Sequence, residues 1–311
     1  MTITNTSLVG DLRLAQMISQ EIKLLLVDTT NLRNTPFLEF VGSINGMGSD
    51  TIRVRKAGLD GYDAFTAFTG GTEANAVSDS ALVDAHVDVV VKRQALAYSI
   101  TDMASMTGMG SDVNPFRIAE SIARSYELLF ADLTGATING TFTTSKGTTG
   151  TVLTLDEWLE AIRALEQAAS FKGAPGPYVA VLHPKQWGEL QGDLRNESNN
   201  SFAYAPASFE ALSAKGSNYK GSFMGVEIYT SSHVETDGTD YQGAIFSPGA
   251  IGYATGMPSG LQGAAESMQM GEVLIEMDRE ADKALTRIVG HAYLGMAIID
   301  ADRGVNIISI D

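Results

Sequence analysis

The residues of this chain that could do chemistry are few and do not converge. The four histidines, His86, His183, His233 and His291, lie far apart and show no metal-ligand spacing. Cysteine is absent, which excludes disulfides and thiolate metal sites. Carboxylates cluster at Asp237/Asp240, at Asp278/Glu280/Asp282 and at Asp300/Asp302. Such oxygens can hold Ca²⁺ or Mg²⁺, but neither the EF-hand spacing nor its glycine is present, and the clusters read as solvated turns. There is no phosphate-cradling P-loop, no dinucleotide-type glycine fingerprint and no nucleophile elbow. No pair of carboxylates is singled out for acid–base work. The expectation is a protein with no catalytic residue, no metal and no cofactor.

Charge narrows the class further. Asp and Glu number 37 against 21 Lys and Arg, a net charge of −16. A surface that acidic repels phosphate, which argues against sequence-specific nucleic-acid binding but suits the wall of a container. Hydrophobic content of 44% with 19% charged residues is that of a core-bearing folded protein. At 311 residues the chain can hold one elaborated domain or two. No apolar run approaches the length needed to span a membrane. Asp11, Arg13, Glu21 and Lys23 interrupt the N-terminal region, so no signal peptide is expected. Lack of cysteine fits assembly in a reducing cytoplasm.

The elements that would position any site are most legible between Thr51 and Ile138. A strand-like run, Thr51 to Lys56, is followed by a glycine-bearing loop and a second β-rich run, Val87 to Thr101. Asn114 and Pro115 then have the residue types of an N-cap and first helical position, opening a long amphipathic helix to about Leu133. The loop from Ala57 to Leu82 carries Asp60, Asp63, Glu73 and Asp79 with Tyr62, Phe65 and Phe68, and no Lys or Arg. Arg53, Arg55, Lys56, Lys92 and Arg93 flank it. A loop this long in a compact domain needs a job of its own, and a long hairpin cannot bury its own faces. Cover by a second copy of the chain is the expectation. Asp60, Asp63 and Glu73 are the candidate docking acids, Phe65 and Phe68 the apolar anchors, and Arg53, Arg55, Arg117 and Arg124 further contact candidates.

Elsewhere the pattern is mixed. Residues 10–27 place Leu12, Leu14, Met17, Ile18, Ile22, Leu25 and Leu26 at helical spacing, giving a helix that packs on its own core or an arm that reaches a neighbour. The Gly/Thr/Ser-rich stretch 135–151 reads as the clearest boundary. Thr154 and Glu157 then form a capping box ahead of a second helix. A buried strand at Tyr178–Leu182 and a helix from His183-Pro184 follow. Residues 196–218 read as irregular, with one short helix near Ser208. Strands are expected at 226–230, 244–246, 273–277, 285–299 and 305–310. The class is α+β.

This element order resembles the major capsid proteins of tailed double-stranded-DNA phages, whose HK97-like capsid fold is shared with encapsulins and the floor of herpesvirus shells. The similar segments are Ser99-Ile-Thr-Asp102 leading to the long helix, Tyr178 to Leu190, Gly221 to Tyr229, and Gly290 to Asp300. The resemblance implies an N-terminal arm (1–45), an extended loop (46–95), a peripheral domain with a long spine helix (96–150 and 271–311) and an axial domain (151–270). It implies hexamers and pentamers in an icosahedral shell around packaged double-stranded DNA, assembled in the host cytoplasm, with a portal and separate scaffolding or decoration proteins as partners and no membrane. An encapsulin-type compartment and a soluble α+β hydrolase are the alternatives. The long helix begins near residue 114, so a separate scaffolding protein or none is expected instead of a fused scaffolding region. Some members weld their shells through a lysine in the extended loop; no lysine lies between Lys56 and Lys92, so no such crosslink is expected.

Overall fold

A computed structural model describes residues 38–55, 86–103, 115–167, 174, 176–196, 204–206, 208, 215, 218–256, 267–270 and 273–310. Two sheets dominate these residues. The first has six strands: β1 (Leu38–Ser43), β4 (Lys92–Thr101), β11 (Ile251–Thr255), β12 (Ser267–Met270), β13 (Val273–Glu280) and β14 (Leu285–Ile298). The long β14 is its axis. It pairs antiparallel with β13 and β4 over most of its length, and with β11 beyond them.

Helix α1 (Pro115–Ile138) lies along one face of this sheet. Ile122, Tyr126 and Phe130 recur every four residues and are all buried, the stripe a one-sided helix needs. The Tyr98 hydroxyl of β4 meets the Ser121 hydroxyl of α1. Asn114, expected as the cap, lies outside the described residues. The helix runs five residues past the expected Leu133. Thr134 and Thr137 fold their hydroxyls back onto the carbonyls of Phe130 and Leu133, so the polar stretch continues the helix instead of ending it.

The second sheet has seven strands in the order β5 (Thr144–Lys146), β15 (Gly304–Ile310), β10 (Asp240–Phe246), β6 (Tyr178–Leu182), β9 (Val226–Thr230), β8 (Tyr219–Phe223) and β7 (Tyr204–Pro206). Helices α2 (Leu155–Glu166) and α3 (Pro184–Asn196) cover one face over Trp158, Leu165, Leu190, Phe223 and Ile228. The capping box forms as expected: Thr154 N–H donates to the Glu157 carboxylate, and Glu157 N–H donates to Thr154 Oγ1. Two acids of α3 extend that cap. Glu189 accepts from Leu153 N–H at 2.9 Å and Asp193 from Leu155 N–H at 2.7 Å. Gln186 stitches α3 to the sheet, its amide donating to the carbonyls of Tyr241 and Ile307. The other face joins the α1 side of the first sheet in one core, where Phe130 meets Val179, Tyr229, Phe246, Ile251 and Leu294.

Several expectations change. The stretch 135–151 does not separate two units by itself: its start closes α1, and Thr144–Lys146 become β5, parallel to β15. Tyr204–Pro206, inside the span expected to be irregular, are a strand. Strands β11 and β12, within 151–270, join the first sheet, and β5 and β15, within 96–150 and 271–311, join the second. Asp240 and Asp300 are not solvated. Asp240 is fully buried and accepts from Gly150 N–H at 2.7 Å, while Asp300 is buried and accepts from Asp302 N–H.

The ribbon β2 (Thr51–Arg55) and β3 (His86–Val90) is the root of the expected long hairpin. It needs no second copy to cover its inner face. Ile52, Val89 and Val91 are buried against Ala254, with Val41, Ile44, Tyr293 and Ala297 packed around them. Alternation along β14 explains how: Tyr293 and Ala297 face the ribbon, while Leu294, Met296 and Ile298 face α1. At Gly295 the crossing is so close that a Cβ would stand 2.1 Å from the Val90 carbonyl oxygen.

Candidate assembly surface

The outer face of the ribbon is charged where the inner face is apolar, because β-strand side chains alternate. Arg53 stands directly across from Asp88 and forks onto it, Nε to Oδ1 at 3.0 Å and Nη2 to Oδ2 at 3.4 Å. That hydrogen bond lowers the Asp88 pKa below the ordinary carboxylate value and raises that of Arg53. Arg55, Lys92 and Arg93 are exposed and form no ion pair among the described residues.

A second charged region is the turn from β13 to β14. Arg279 holds Asp102, at the end of β4, through two bonds of 2.8 and 2.6 Å, and keeps its pKa low. Glu280 pairs with Lys283 and lies 3.7 Å from Arg287. Ala284 closes the turn with φ of +47°, a left-handed conformation uncommon for alanine, and its carbonyl accepts from Asp102 N–H.

The third is the joint between α1 and the second sheet. Asp132 meets His233 Nδ1 at 2.6 Å, and Asn139 donates to Glu235 at 2.6 Å. Gly135 sits between them, where a Cβ would stand 1.9 Å from the His233 carbonyl oxygen. Asp237 accepts from the backbone N–H groups of Asp240 and Thr239 and from Gln242, and these bonds lower its pKa.

Among the contact candidates whose side chains are described, Arg53 and Arg55 lie on the ribbon and Arg124 on α1. Arg53 is committed to Asp88, and Arg55 points outward from the same ribbon. Arg124 is exposed on α1, one turn before the exposed Leu128. Arg117 lies in the first turn of α1, its side chain outside the described residues. Asp60, Asp63, Phe65, Phe68 and Glu73 also lie outside them. The pairs Arg53–Asp88, Asp102–Arg279 and Asp132–His233 were not foreseen. Their members are 35, 177 and 101 positions apart, and only the alternation of Arg53 and Asp88 in facing strands hinted at one of them.

Among the described residues no group of three or more His, Asp or Glu could hold a metal ion, and no helix is long and apolar enough to cross a membrane. A cleft of about 210 Å³ between α1 and β4 is lined largely by Leu96, Ile122, Tyr126 and Leu129, with Gln94 and Ser125 at its edge.

The fold matches solved shell proteins. The capsid of Myoviridae phage XM1 superposes with a TM-score of 0.57 at 12% identity, covering 90% of this chain and 92% of the other. The mature capsid of bacteriophage PhiM1 gives 0.57 at 10% identity, over 88% and 85%. The SrpI encapsulin of Synechococcus elongatus gives 0.57 at 13% identity, over 90% and 88%. At such identities the likeness is one of fold, the HK97-like capsid fold. No curated protein matches the sequence. The family model described as phage capsid protein matches residues 87–307, from the root of the ribbon through both sheets. The chain therefore belongs to the phage capsid protein family and is a structural shell protein of the virion.

Proposed function

We propose that this chain is the repeating subunit of a closed icosahedral capsid, assembling as hexamers and pentamers around double-stranded DNA. The observation that carries the reading is the family match across 87–307 on a body with the matching fold. Closed symmetry sums many modest contacts into a stable wall, so no single interface has to be strong. A net charge of −16 suits enclosure of DNA without sequence-specific binding. In this reading residues 1–45 and the loop within 46–95 reach neighbouring copies. The six-stranded sheet with α1 forms the peripheral region, and the seven-stranded sheet forms the axial one. Asp60, Asp63 and Glu73 dock on a neighbour's basic residues, Arg117 and Arg124 among the candidates, with Phe65 and Phe68 as anchors. A portal and separate scaffolding or decoration proteins complete the particle in the host cytoplasm, and the chain itself catalyses nothing.

Negative-stain microscopy of the purified chain with light scattering tests this. Closed uniform particles, or rings of five and six, are expected. A monomer that stays monomeric even when co-expressed with its neighbouring phage genes overturns it. Likeness to the SrpI encapsulin supports a second reading, a compartment around protein cargo, which co-purified protein in place of DNA would select.

A further inference from the structure

We propose that the Asn139–Gly140 step at the end of α1 is a self-modification site, and that its conversion to aspartate or isoaspartate loosens α1 from the second sheet. The inference stands independently of the shell reading. An asparagine followed by glycine is the pair most open to attack by the next backbone nitrogen, because glycine has no side chain to hinder it. The chain has two such pairs, Asn45–Gly46 and Asn139–Gly140. The second joins two parts of the molecule. Its Asn139 amide leaves the end of α1 and donates at 2.6 Å to Glu235, on the connection between β9 and β10.

The attacking group is in place. Gly140 is exposed and takes φ of +61°, the left-handed residue that commonly follows a helix. Among the described residues its N–H enters no backbone hydrogen bond. The main chain before it is held, since Asn139 N–H donates to the Gly135 carbonyl and the Asn139 carbonyl accepts from Thr141 Oγ1. In the first step the Gly140 nitrogen bonds to Asn139 Cγ, and the amide nitrogen leaves as ammonia, taking up the Gly140 proton. Water then opens the five-membered imide at one carbonyl or the other, giving aspartate or isoaspartate. Solvent water is the sole co-reactant.

The fold both delays this reaction and gives it a consequence. Glu235 holds the amide, so attack waits on local opening of that bond. The product carries a carboxylate where the donor was, facing the Glu235 carboxylate, which has no Lys or Arg partner among the described residues. A hydrogen bond thus becomes a repulsion. The isoaspartate form also adds a methylene to the main chain at the helix end. Nearby, the joint keeps the Asp132–His233 bond and the close approach of Gly135 to the His233 carbonyl. Because the reaction does not reverse, it marks the age of the subunit.

The full chain is incubated in warm, mildly alkaline buffer, digested, and read by mass spectrometry for isoaspartate at position 139. Conversion should proceed in the folded chain about tenfold or more slowly than in the urea-unfolded chain, and Glu235→Ala should close most of that gap. Asn139→Gln, which keeps an amide but cyclises far more slowly, should stay unconverted. Hydrogen exchange reads the consequence. In Asn139→Asp, and in the aged unsubstituted chain, amides of residues 132–139 should lose about tenfold in protection while those of β6 keep theirs. A folded chain still unconverted at 139 when the Glu235→Ala and unfolded chains have reacted overturns the site. Unchanged protection of the α1 end in Asn139→Asp overturns the loosening. Neither readout needs particles, so failure of assembly leaves the inference standing.

Discussion

Strands β6 and β4 show two ways of using a sheet. In β6, Val179, Ala180, Val181 and Leu182 are all buried, and helices or core lie against both faces. In β4, the first four residues are exposed and burial afterwards only alternates between partial and none. One strand is enclosed on both faces, whereas among the described residues the other has a partner on one edge and a helix on one face. The difference teaches where this chain keeps its stability and where it keeps its surface for other molecules. The seven-stranded sheet is covered on both faces, by α2 and α3 on one side and by the core it shares with α1 and the first sheet on the other. The ribbon and β4 present charge and edge that nothing among the described residues consumes.

That contrast can be broken from either side. The largest effect should come from Trp158→Ala, which empties a fully buried site between α2 and Phe223 and should cost about 3–5 kcal/mol. Chemical denaturation of the subunit measures it, and loss of the whole cooperative transition is expected. Next is Gly295→Ala. Its methyl group would meet the Val90 carbonyl and push the ribbon off β14, at about 1–3 kcal/mol, with faster proteolysis in the ribbon than in the second sheet. Equal protection of both regions in that variant would contradict the division drawn here. Thr154→Ala removes the cap of α2 and should cost about 1 kcal/mol, read as an unchanged denaturant slope with a lower midpoint.

Acidification should give the smallest effect. The folded-state pKa values of Asp88, Asp102, Asp237 and Glu280 are all lowered, chiefly by hydrogen bonds to Arg53, to Arg279, to backbone N–H groups and to Lys283. A depressed folded pKa means the contribution is complete above the unfolded value, near 4 for a carboxylate, and is lost as pH falls through the folded one. Asp88 and Asp237 are exposed and Asp102 and Glu280 half-buried at the surface, so solvent keeps the loss per group small. Denaturation midpoints should fall gently below about pH 4, and Arg279→Met should flatten part of that slope.

Much of the fold was legible because its signals are local. The capping box at Thr154 and Glu157, the apolar run Tyr178–Leu182 and the stripe of Ile122, Tyr126 and Phe130 each depend on neighbours within one or two turns. The same locality explains the misreadings. Gly135 looks like a breaker in sequence, but its missing Cβ is what lets α1 approach the His233 carbonyl. Asp240 looks like a solvated turn acid, but the strand carrying it lies inside a sheet whose neighbouring loop offers the Gly150 N–H. The ribbon looked too long to cover itself, because the face of β14 that covers its root lies some 200 positions further on.

The sequence by itself determined the class of protein. Its acidity and lack of cysteine narrowed the possibilities, and the order of its helices and strands, through its resemblance to phage capsid proteins, pointed to a shell subunit. Tertiary structure decided which strands share a sheet, since β15 and β5 belong together although about 160 positions separate them. It also decided which charges are answered within the subunit, as Arg53 is by Asp88 and Asp102 by Arg279. Pairing between distant segments costs chain entropy that only cooperative packing repays, and no local pattern records that balance.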